Sequence, residues 1–252
     1  NPYGHVTEDG RYLIIDVSEG YDSNAVYYRD LGAPSGRVVR LLDAWDALYT
    51  FIGNDGPVFF FLTNKDAPRY RVVAIDTRSF APEAWQVVIP EAEETLGSAS
   101  FVGGHFVGQY LKDAQALVRV FARDGTAIRD VELPGIGTAY GFGGKADDPE
   151  TFFAFQSYTV PPTLFRYDVA TGESALYRQT RVSVDPEAYE TVQVFFTSKD
   201  GTRVPMFITH RKGLVLNGQN PTLLYGYGGF NISETPSFSV ARVVWMEMGG
   251  VF

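Results

Sequence analysis

The strongest constraint on the fold is a strand-like run that recurs and ends each time at an aspartate. Four aromatic or β-branched runs reach such a residue at a turn, and these residues are Asp30, Asp76, Asp124 and Asp168. They are separated by steps of 46, 48 and 44 residues. Each is preceded by another strand-like run and followed by a further one, so that each repeat holds three or four strands. A period of about 45 residues with this content is typical of a β-propeller blade.

The flanking runs outline four predicted blades within residues 1 to about 182. The preceding runs are residues 12–17, 58–63, 105–111 and 151–157, and the following runs are residues 38–42, 85–89, 128–133 and 174–178. Asp124-Gly125 is a strong hairpin signal because Asp caps its own backbone and Gly supplies a positive φ. The segment around Gly10 resembles a blade already in progress at residue 1. We therefore expect part of a larger propeller rather than a complete four-bladed one.

Beyond residue 181 the pattern changes to a mixed order of strands and helix. The predicted elements are a hairpin of residues 191–197 and 202–210, a buried strand at 222–225, a buried helix or an oblique segment at 240–248 and the beginning of a strand at 249–252. This is the order in which an α/β-hydrolase sheet opens. The predicted fold is therefore mainly β. Residues 1–184 form part of a β-propeller, and residues 185–252 form the first strands of an incomplete α/β-hydrolase domain.

A glycine-rich loop follows the predicted strand at 222–225. Three glycines occupy four positions, Gly226, Gly228 and Gly229, and the aromatic residues Tyr227 and Phe230 accompany them. Glycines at this density let a backbone adopt positive φ or approach a ligand closely. The ends of strands are also where α/β enzymes place their chemistry. The loop is therefore predicted to form a wall of an active site.

Charge and composition exclude several classes of function. The net charge is −9, and the longest basic run is the pair Arg211-Lys212, so we expect no nucleic-acid partner. No run reaches the roughly 18 to 20 apolar residues of a membrane-spanning helix, so no membrane partner is expected either. There is no cysteine, and the acidic clusters lack neighbouring histidines, so neither a metal nor another cofactor is predicted. The compartment stays undetermined, with the cytoplasm favoured over the periplasm.

The glycine-rich run has a specific resemblance. YGYGGFN at residues 225–231, with SKDGTRVPMFI upstream at residues 198–208, closely resembles the corresponding segments of the prolyl oligopeptidase family of serine peptidases. Residues 107–117 and 149–168 are similar to later propeller blades of that family. The family's propeller has seven blades, so the resemblance implies roughly the last four, followed by the start of the hydrolase domain. It also implies a propeller that caps the active site and excludes large folded substrates.

The resemblance implies roles for the loop residues. Tyr227 would help to form the oxyanion hole, and Phe230 would line the pocket for the substrate proline. Gly226, Gly228 and Gly229 would support the shape of the loop. The serine, aspartate and histidine of the family's catalytic triad lie further along its sequence, so none of them is assigned in this chain.

The residues of this chain also indicate that it lacks a complete catalytic triad. No serine lies in a G-x-S-x-G elbow, which a hydrolase nucleophile needs. The histidines are interpreted as imidazoles satisfied by their local surroundings, and they are His5, His105 and His210. A self-contained catalytic triad is therefore not expected.

The predicted function belongs to the parent protein. It is a serine endopeptidase that cleaves short peptides on the carboxyl side of proline, and its propeller gates substrate size. Its partners are short proline-containing peptides, and the remainder of the same polypeptide is needed to complete the hydrolase domain. The segment alone is predicted to be inactive.

Two alternatives stay open at this point. One is a propeller that acts as a binding or scaffold module, and the other is a related oligopeptidase that cuts after basic residues or a dipeptidyl peptidase. An incomplete hydrolase sheet would leave strand edges and the apolar residues Val243, Val244 and Trp245 exposed, so the isolated chain would aggregate or need a partner. A binding module would instead be a soluble and cooperative monomer.

Overall fold

Four sheets of the same design account for most of the chain. The fold is described from a computed structural model that covers residues 1–33 and 35–252. Each sheet has four strands in sequence order. The first contains β1 (Pro2–Val6), β2 (Tyr12–Ser18), β3 (Asn24–Asp30) and β4 (Val39–Leu42), and the second contains β5 (Tyr49–Asp55), β6 (Val58–Thr63), β7 (Arg71–Asp76) and β8 (Gln86–Ile89). The third contains β9 (Thr95–Val102), β10 (His105–Lys112), β11 (Gln115–Phe121) and β12 (Ala127–Asp130), and the fourth contains β13 (Thr138–Gly143), β14 (Glu150–Gln156), β15 (Thr163–Asp168) and β16 (Ser174–Gln179).

The repeated aspartates have the same structural role in all four sheets. Each one follows or ends the third strand, and its Oδ1 accepts a hydrogen bond from a backbone N–H two or three residues later. The donors are the N–H groups of Gly32, Arg78, Thr126 and Thr171, at 2.7–2.9 Å. A short carboxylate that satisfies the backbone of the following turn favours a strand end. The predicted strand-and-turn period is therefore confirmed.

The first strand of each sheet is a feature that the repeat analysis did not single out. The strands β1, β5, β9 and β13 complete four strands per repeat. The first sheet has its own first strand from Pro2, so the prediction of a blade already in progress at residue 1 is wrong. Gly10 instead lies in the turn between β1 and β2, where its φ of +71° suits glycine.

The chain forms two compact units. The first comprises Asn1–Tyr110, Arg119–Asp130 and Gly143–Pro149, and the second comprises Leu111–Val118, Val131–Phe142 and Glu150–Phe252. The domain boundary predicted between residues 184 and 185 falls inside the second unit and stays a prediction. Across the described part of the chain, no helix has the length and apolar character that crossing a membrane requires.

One core cluster of the first unit lies between its first two sheets. Alternate residues of β2 and β3 pack against alternate residues of β6 and β7, as the period of two in a strand dictates. The ring of Phe59 meets the edges of Tyr12 and Tyr28, with ring centroids 4.9 and 5.4 Å apart. Aromatic pairs in this arrangement add to the free energy of burial.

Residues 185–252 form a hairpin, a long loop and one helix. The hairpin consists of β17 (Tyr189–Thr197) and β18 (Arg203–Arg211), which pair antiparallel over their full length. The helix α1 (Val240–Glu247) lies within the predicted range 240–248. It buries Val243 and Met246 against Tyr189. The predicted hairpin and helix are therefore confirmed.

The predicted buried strand at 222–225 is wrong in this structure. Only Thr222 pairs, in a single parallel bridge with Val251, and Leu224 is 80% exposed. A parallel strand needs neighbours on both sides to satisfy its backbone and bury its side chains. The expected strand at 249–252 is likewise reduced to this bridge. The expected exposure of residues 243–245 holds only for Val244, because Val243 is buried and Trp245 is partly buried.

Candidate active site

The site lies in the second unit, and its frame begins with the end of helix α1. The N–H of Gly249, which has a φ of +88°, donates to the Met246 carbonyl at 3.0 Å. The N–H of Gly250 donates to the Trp245 carbonyl at 3.1 Å. These two bonds form a Schellman motif, which satisfies the last helical carbonyls and turns the chain back. Gly250 also leaves room for the Trp245 indole, because an added Cβ would collide with it.

The turn brings the last residues beside the hairpin. Thr209 of β18 and Phe252 exchange two backbone hydrogen bonds of 2.7 and 2.9 Å. On the other side, the N–H of Val251 donates to the Pro221 carbonyl, and the N–H of Leu223 donates to the Val251 carbonyl. The segment that leads into the glycine-rich loop is therefore held next to Val251, which in turn is held next to β18.

A cavity of about 510 Å³ opens between these segments. Its volume lies within the range of small-molecule sites. The lining is largely aromatic and aliphatic, and it includes Tyr158, Phe207, Leu223, Tyr225, Tyr227 and Phe252. The rings of Phe207 and Phe252 lie 5.7 and 5.5 Å from that of Tyr158. Burial raises the pKa of Tyr158 to about 12, and Arg242 opposes this shift.

Arg242 is the cationic side chain of this wall. Its Nη1 donates to the backbone carbonyl of Ser237 at 2.8 Å and to the Ser237 hydroxyl at 3.0 Å. Its guanidinium carbon lies 4.7 Å from the ring centroid of Phe252. A guanidinium over an aromatic face is attracted by the ring quadrupole. Arg242 therefore links helix α1, the loop before it and the aromatic floor.

Side chains of the fourth sheet and its neighbouring turn fix the loop before α1. The Thr138 hydroxyl donates to the Pro236 carbonyl at 2.7 Å, and the Gln156 side-chain oxygen accepts from the N–H of Phe238 at 3.1 Å. A further bond joins the third sheet to the hairpin. The side-chain N–H of Gln115 on β11 donates to the side-chain oxygen of Gln193 on β17 at 3.1 Å. Residues before 184 thus make specific hydrogen bonds to residues after it.

The glycine-rich loop has an unusual backbone. Gly228 has a φ of +70°, as expected for a glycine that the loop requires, whereas Gly226 and Gly229 do not adopt positive φ. The next two residues, Phe230 and Asn231, are both left-handed, with φ of 51° and 54°. Left-handed non-glycine residues store strain, and such strain clusters at functional sites.

The predicted site residues are placed differently with respect to the cavity. Tyr227 lines it together with Gly226 and Gly228, and the Tyr227 side chain is 50% exposed. Phe230 is 86% exposed, and neither it nor Gly229 is among the residues that line the cavity in the described part of the chain. The structure therefore brings the tyrosine to the wall and leaves the phenylalanine ring in solvent.

The three histidines lie in strands, and two of them have nearby hydrogen-bond partners. His210 is buried at the end of β18, and its Nδ1 lies 3.0 Å from the Arg211 carbonyl and 3.7 Å from a Glu190 carboxylate oxygen. The Nδ1 atom of His105 lies 2.7 Å from the Gly103 carbonyl. Among residues 1–33 and 35–252, no group of three or more His, Cys, Asp or Glu side chains is arranged to hold a metal ion.

Sequence reasoning missed two members of this site. Arg242 carries a signal that could have been used, because it is the lone cation within the apolar helix VARVVWME. Tyr158 carries no such signal, because an aromatic residue just after a strand of the fourth sheet is common in a propeller blade. Only the tertiary structure places it beside residues almost 100 positions later.

The comparison with a protein-family model agrees with the repeated sheets. The family description "Prolyl oligopeptidase, N-terminal beta-propeller domain" matches residues 3–180. This range contains all four sheets.

Similar proteins match over the whole chain. A prolyl endopeptidase of Elizabethkingia miricola is 39% identical over 249 residues, which are 99% of this chain and 35% of that protein. Prolyl oligopeptidase A of Galerina marginata is 30% identical and is covered over 34% of its length. The chain thus spans about a third of the length of these relatives.

Solved structures give the same result. One from a structural and mechanistic study of two prolyl endopeptidases has a TM-score of 0.90 and 38% identity, over 99% of this chain and 37% of that one. Prolyl oligopeptidase B of Galerina marginata, bound to a 35-residue hydrolysis and macrocyclization substrate, has a TM-score of 0.90 and 26% identity, over 100% of this chain and 37% of that one. The propeller-like sheets, the family match and these relatives together show that the chain belongs to the prolyl oligopeptidase family.

Proposed function

We propose that the protein containing this chain is a serine endopeptidase that cleaves short peptides on the carboxyl side of proline. The observation that carries the proposal is the position of Tyr227, half-exposed on the wall of a ligand-sized cavity in a chain of this family. Residues 1–184 act as the propeller that restricts substrate size. Residues 185–252 act as the start of the hydrolase domain, and the remainder of the polypeptide completes it.

The chemistry is acyl transfer without a metal or another cofactor. A serine, whose proton passes to the histidine, attacks the carbonyl carbon on the proline side of the scissile bond, and the carbonyl oxygen becomes an oxyanion. When the oxyanion collapses, the C–N bond breaks, the leaving amine takes the proton from the histidine, and water then hydrolyses the acyl-enzyme. The phenol O–H of Tyr227 donates a hydrogen bond to this oxygen as its negative charge develops. Such a donor accelerates the reaction because its bond strengthens in the transition state. The serine, histidine and aspartate come from the remainder of the polypeptide, so this chain alone is inactive.

Phe230 is proposed to recognise the substrate proline. Its ring is largely exposed and therefore available to pack against a pyrrolidine ring. The strained left-handed backbone at Phe230 and Asn231 holds the ring outside the protein core. Gly226, Gly228 and Gly229 are proposed to support the shape of the loop, and the positive φ of Gly228, +70°, is the observation that favours this role.

Tyr227→Phe in the full-length protein tests the oxyanion role. With a chromogenic peptide that carries proline before the leaving group, we expect kcat to fall roughly 10²- to 10³-fold, whereas KM changes little. Tyr140→Phe is the matched control, because Tyr140 is similarly exposed, at 46%, and lies outside the cavity. An unchanged kcat for Tyr227→Phe would remove the oxyanion role but leave the family activity standing.

The choice of residue before the cleaved bond tests the specificity. We expect the full-length protein to prefer proline over alanine, and the Phe230→Ala variant to lose most of this preference. Faster cleavage after lysine or arginine would identify an oligopeptidase of different specificity. An absence of cleavage of all these peptides by the full-length protein would favour the binding module instead.

A further inference from the structure

A second cavity, of about 370 Å³, lies in the first unit, on the face that the first sheet turns toward the second. The register of β1 and β2 places Tyr3 opposite Asp16 and His5 opposite Ile14. Directly opposed residues in an antiparallel pair share a face of the sheet. All four side chains therefore converge on this cavity, which β5 closes with Phe51.

Asp16 is a carboxylate in an otherwise apolar strand, and a buried amide holds it in place. Asn24 donates from Nδ2 to Asp16 Oδ2 at 2.7 Å and to the Tyr49 carbonyl at 2.9 Å. It also accepts at Oδ1 from the N–H of Tyr49 at 2.7 Å. Within the described residues, no hydrogen bond to Asp16 Oδ1 is formed. This oxygen is therefore available for a hydrogen bond, on a side chain that lines the cavity.

Aromatic rings form another part of the wall. The His5 ring lies 6.2 Å from the ring of Tyr3 and 5.4 Å from that of Phe51. Phe51 is itself fixed by edge contacts of 5.5 and 5.6 Å with the core rings of Phe59 and Phe61. Ring faces beside a carboxylate favour an organic cation, because both attract positive charge and the rings also contact its methylene groups.

The charges around the cavity leave Asp16 without a cationic partner. Lys65 is paired with another carboxylate: its Nζ is 3.0 Å from Asp46 Oδ2, and Asp46 also accepts from the hydroxyl of Tyr49, which lines the cavity. Burial lowers the pKa of His5, and Asp16 opposes this shift, so burial disfavours a positive charge on this imidazole. Burial also raises the pKa of Asp16 despite its bond to Asn24. A cation in the cavity would relieve this cost of burying the carboxylate.

We propose that this cavity binds an alkyl ammonium group, which is either the side chain of a lysine in a peptide or a free primary amine. Asp16 Oδ1 accepts a hydrogen bond from the ammonium group. Tyr3 and Phe51 contact the methylene chain, and Asn24 is a positioning residue that orients Asp16. The site is independent of the cavity at Tyr227 and of the proposed peptidase activity.

Calorimetric titration of the full-length protein with n-butylammonium tests the proposal. The neutral isostere n-butanol is the matched ligand control, since it has the same chain without the charge. We expect saturable binding of butylammonium and at least about tenfold weaker binding of butanol. Equal affinity for the two ligands would overturn the proposal, and this comparison needs no variant.

Two variants that each remove one negative charge test whether butylammonium binds in this cavity. Asp16→Asn keeps an oxygen that can accept from Asn24, and it should lower the butylammonium affinity by about tenfold or more. Asp22→Asn removes the same charge at an exposed position outside the cavity and should change the affinity less than twofold. Equal affinities of the two variants would contradict the assignment. Phe51→Leu, which removes a ring but keeps an apolar side chain, should weaken binding about two- to fivefold.

The source of the ammonium group is decided by a peptide pair. N-acetylated and C-amidated Gly-Lys-Gly is compared with the same blocked peptide carrying norleucine, which lacks the side-chain ammonium group. Tighter binding of the lysine peptide than of butylammonium would identify a peptide side chain as the ligand. Equal binding of the two ammonium ligands would identify the amine itself. Both results require that the norleucine peptide binds at least about tenfold more weakly.

Discussion

Two turns of identical sequence show how the surroundings decide the importance of a single residue. Asp-Gly-Thr occurs at residues 124–126 and again at 200–202. In both turns the Asp side chain accepts from the Thr N–H, at 2.9 and 3.0 Å, and the φ of the glycine is +86° or +87°. The surroundings of the two glycines differ: Gly125 packs against the backbone of Val88, whereas an added Cβ at Gly201 would meet nothing within 4 Å.

Alanine at these two glycines should therefore have different costs. Gly201→Ala should destabilise the chain by about 1 kcal/mol, because Ala is strained at positive φ. Gly125→Ala should cost about 1 to 3 kcal/mol more, because its Cβ would overlap the Val88 carbonyl and the backbone must move. Urea denaturation of the two variants measures the difference. Equal free energies of unfolding would mean that Val88 is not in contact with this turn.

Tyr158 should make the stability depend on pH in alkaline solution. Its pKa is raised to about 12 by burial, whereas a phenol in the unfolded chain titrates near 10. Between these values the folded chain holds a proton that the unfolded chain loses, so the free energy of unfolding falls as pH rises. The contribution is on the order of 2 kcal/mol.

Tyr158→Phe should remove this part of the pH dependence, because phenylalanine does not titrate. Melting temperatures measured from pH 9 to pH 12 should fall less steeply for this variant than for the unmodified chain. Tyr140→Phe serves as the control, because the Tyr140 side chain is exposed. A slope that stays the same in the Tyr158 variant would show that this phenol ionises normally.

At the scale of the elements, all four sheets contain an irregularity in strand pairing at the same place in the repeat. The register between the third and fourth strands shifts in each sheet, after Val26, Val72, Val120 and Leu164. These positions have the same steps of 46, 48 and 44 residues as the aspartates. A bulge increases the local twist and bends the edge strand, which discourages pairing with another sheet edge. The repeat therefore preserves the bulge together with the turn.

Helix α1 offers a test of element packing through two adjacent valines. Val243 is 1% exposed and packs in the cluster with Tyr189 and Met246, whereas Val244 is 47% exposed. In this chain, Val243→Ala should lower the free energy of unfolding by about 1.5 to 3 kcal/mol. Val244→Ala should change it by less than about 0.5 kcal/mol. Similar effects of the two changes would place α1 in a different rotation from the one described.

At the scale of the whole molecule, a run of exposed apolar residues lies in the glycine-rich loop and the segment before it. Leu224 and Phe230 are 80% and 86% exposed, and Leu223, Tyr225 and Ile232 are also exposed. Contiguous apolar surface of this kind promotes association. This segment includes residues 222–225, which were predicted to form a buried strand but do not form one.

The chain by itself should therefore associate in solution. Sedimentation velocity should show an average mass that rises with concentration, and the double change Leu224→Lys with Phe230→Ser should shift the population toward monomer. Tyr21→Lys is the control, since Tyr21 is highly exposed but lies outside this segment. A monomer at all concentrations would favour the binding-module alternative for this chain.

Much of the fold is encoded locally. The aspartate period, the hairpin at the Asp-Gly turns and the helix at 240–247 were predictable because each depends on residues a few positions apart, through turn capping or side-chain periodicity. The first strand of every sheet escaped the prediction, because strands such as PYGHV have a weak alternating pattern and are stabilised by pairing with the next strand. The strand predicted at 222–225 failed for the converse reason, since local β-propensity cannot supply the neighbours that a parallel strand needs.

The sequence by itself determined the repeat, its aspartate turns and the residues that carry the family resemblance, because these depend on short spacings along the chain. Only the tertiary structure decided which side chains meet. It joined Tyr158 to Phe252 and Arg242, moved Val243 into a core, and left Phe230 in solvent. It also placed Tyr3, His5 and Asp16 on one face, which follows from strand register. Contacts between residues far apart in the chain depend on how sheets and helices pack, and no short-range pattern records that packing.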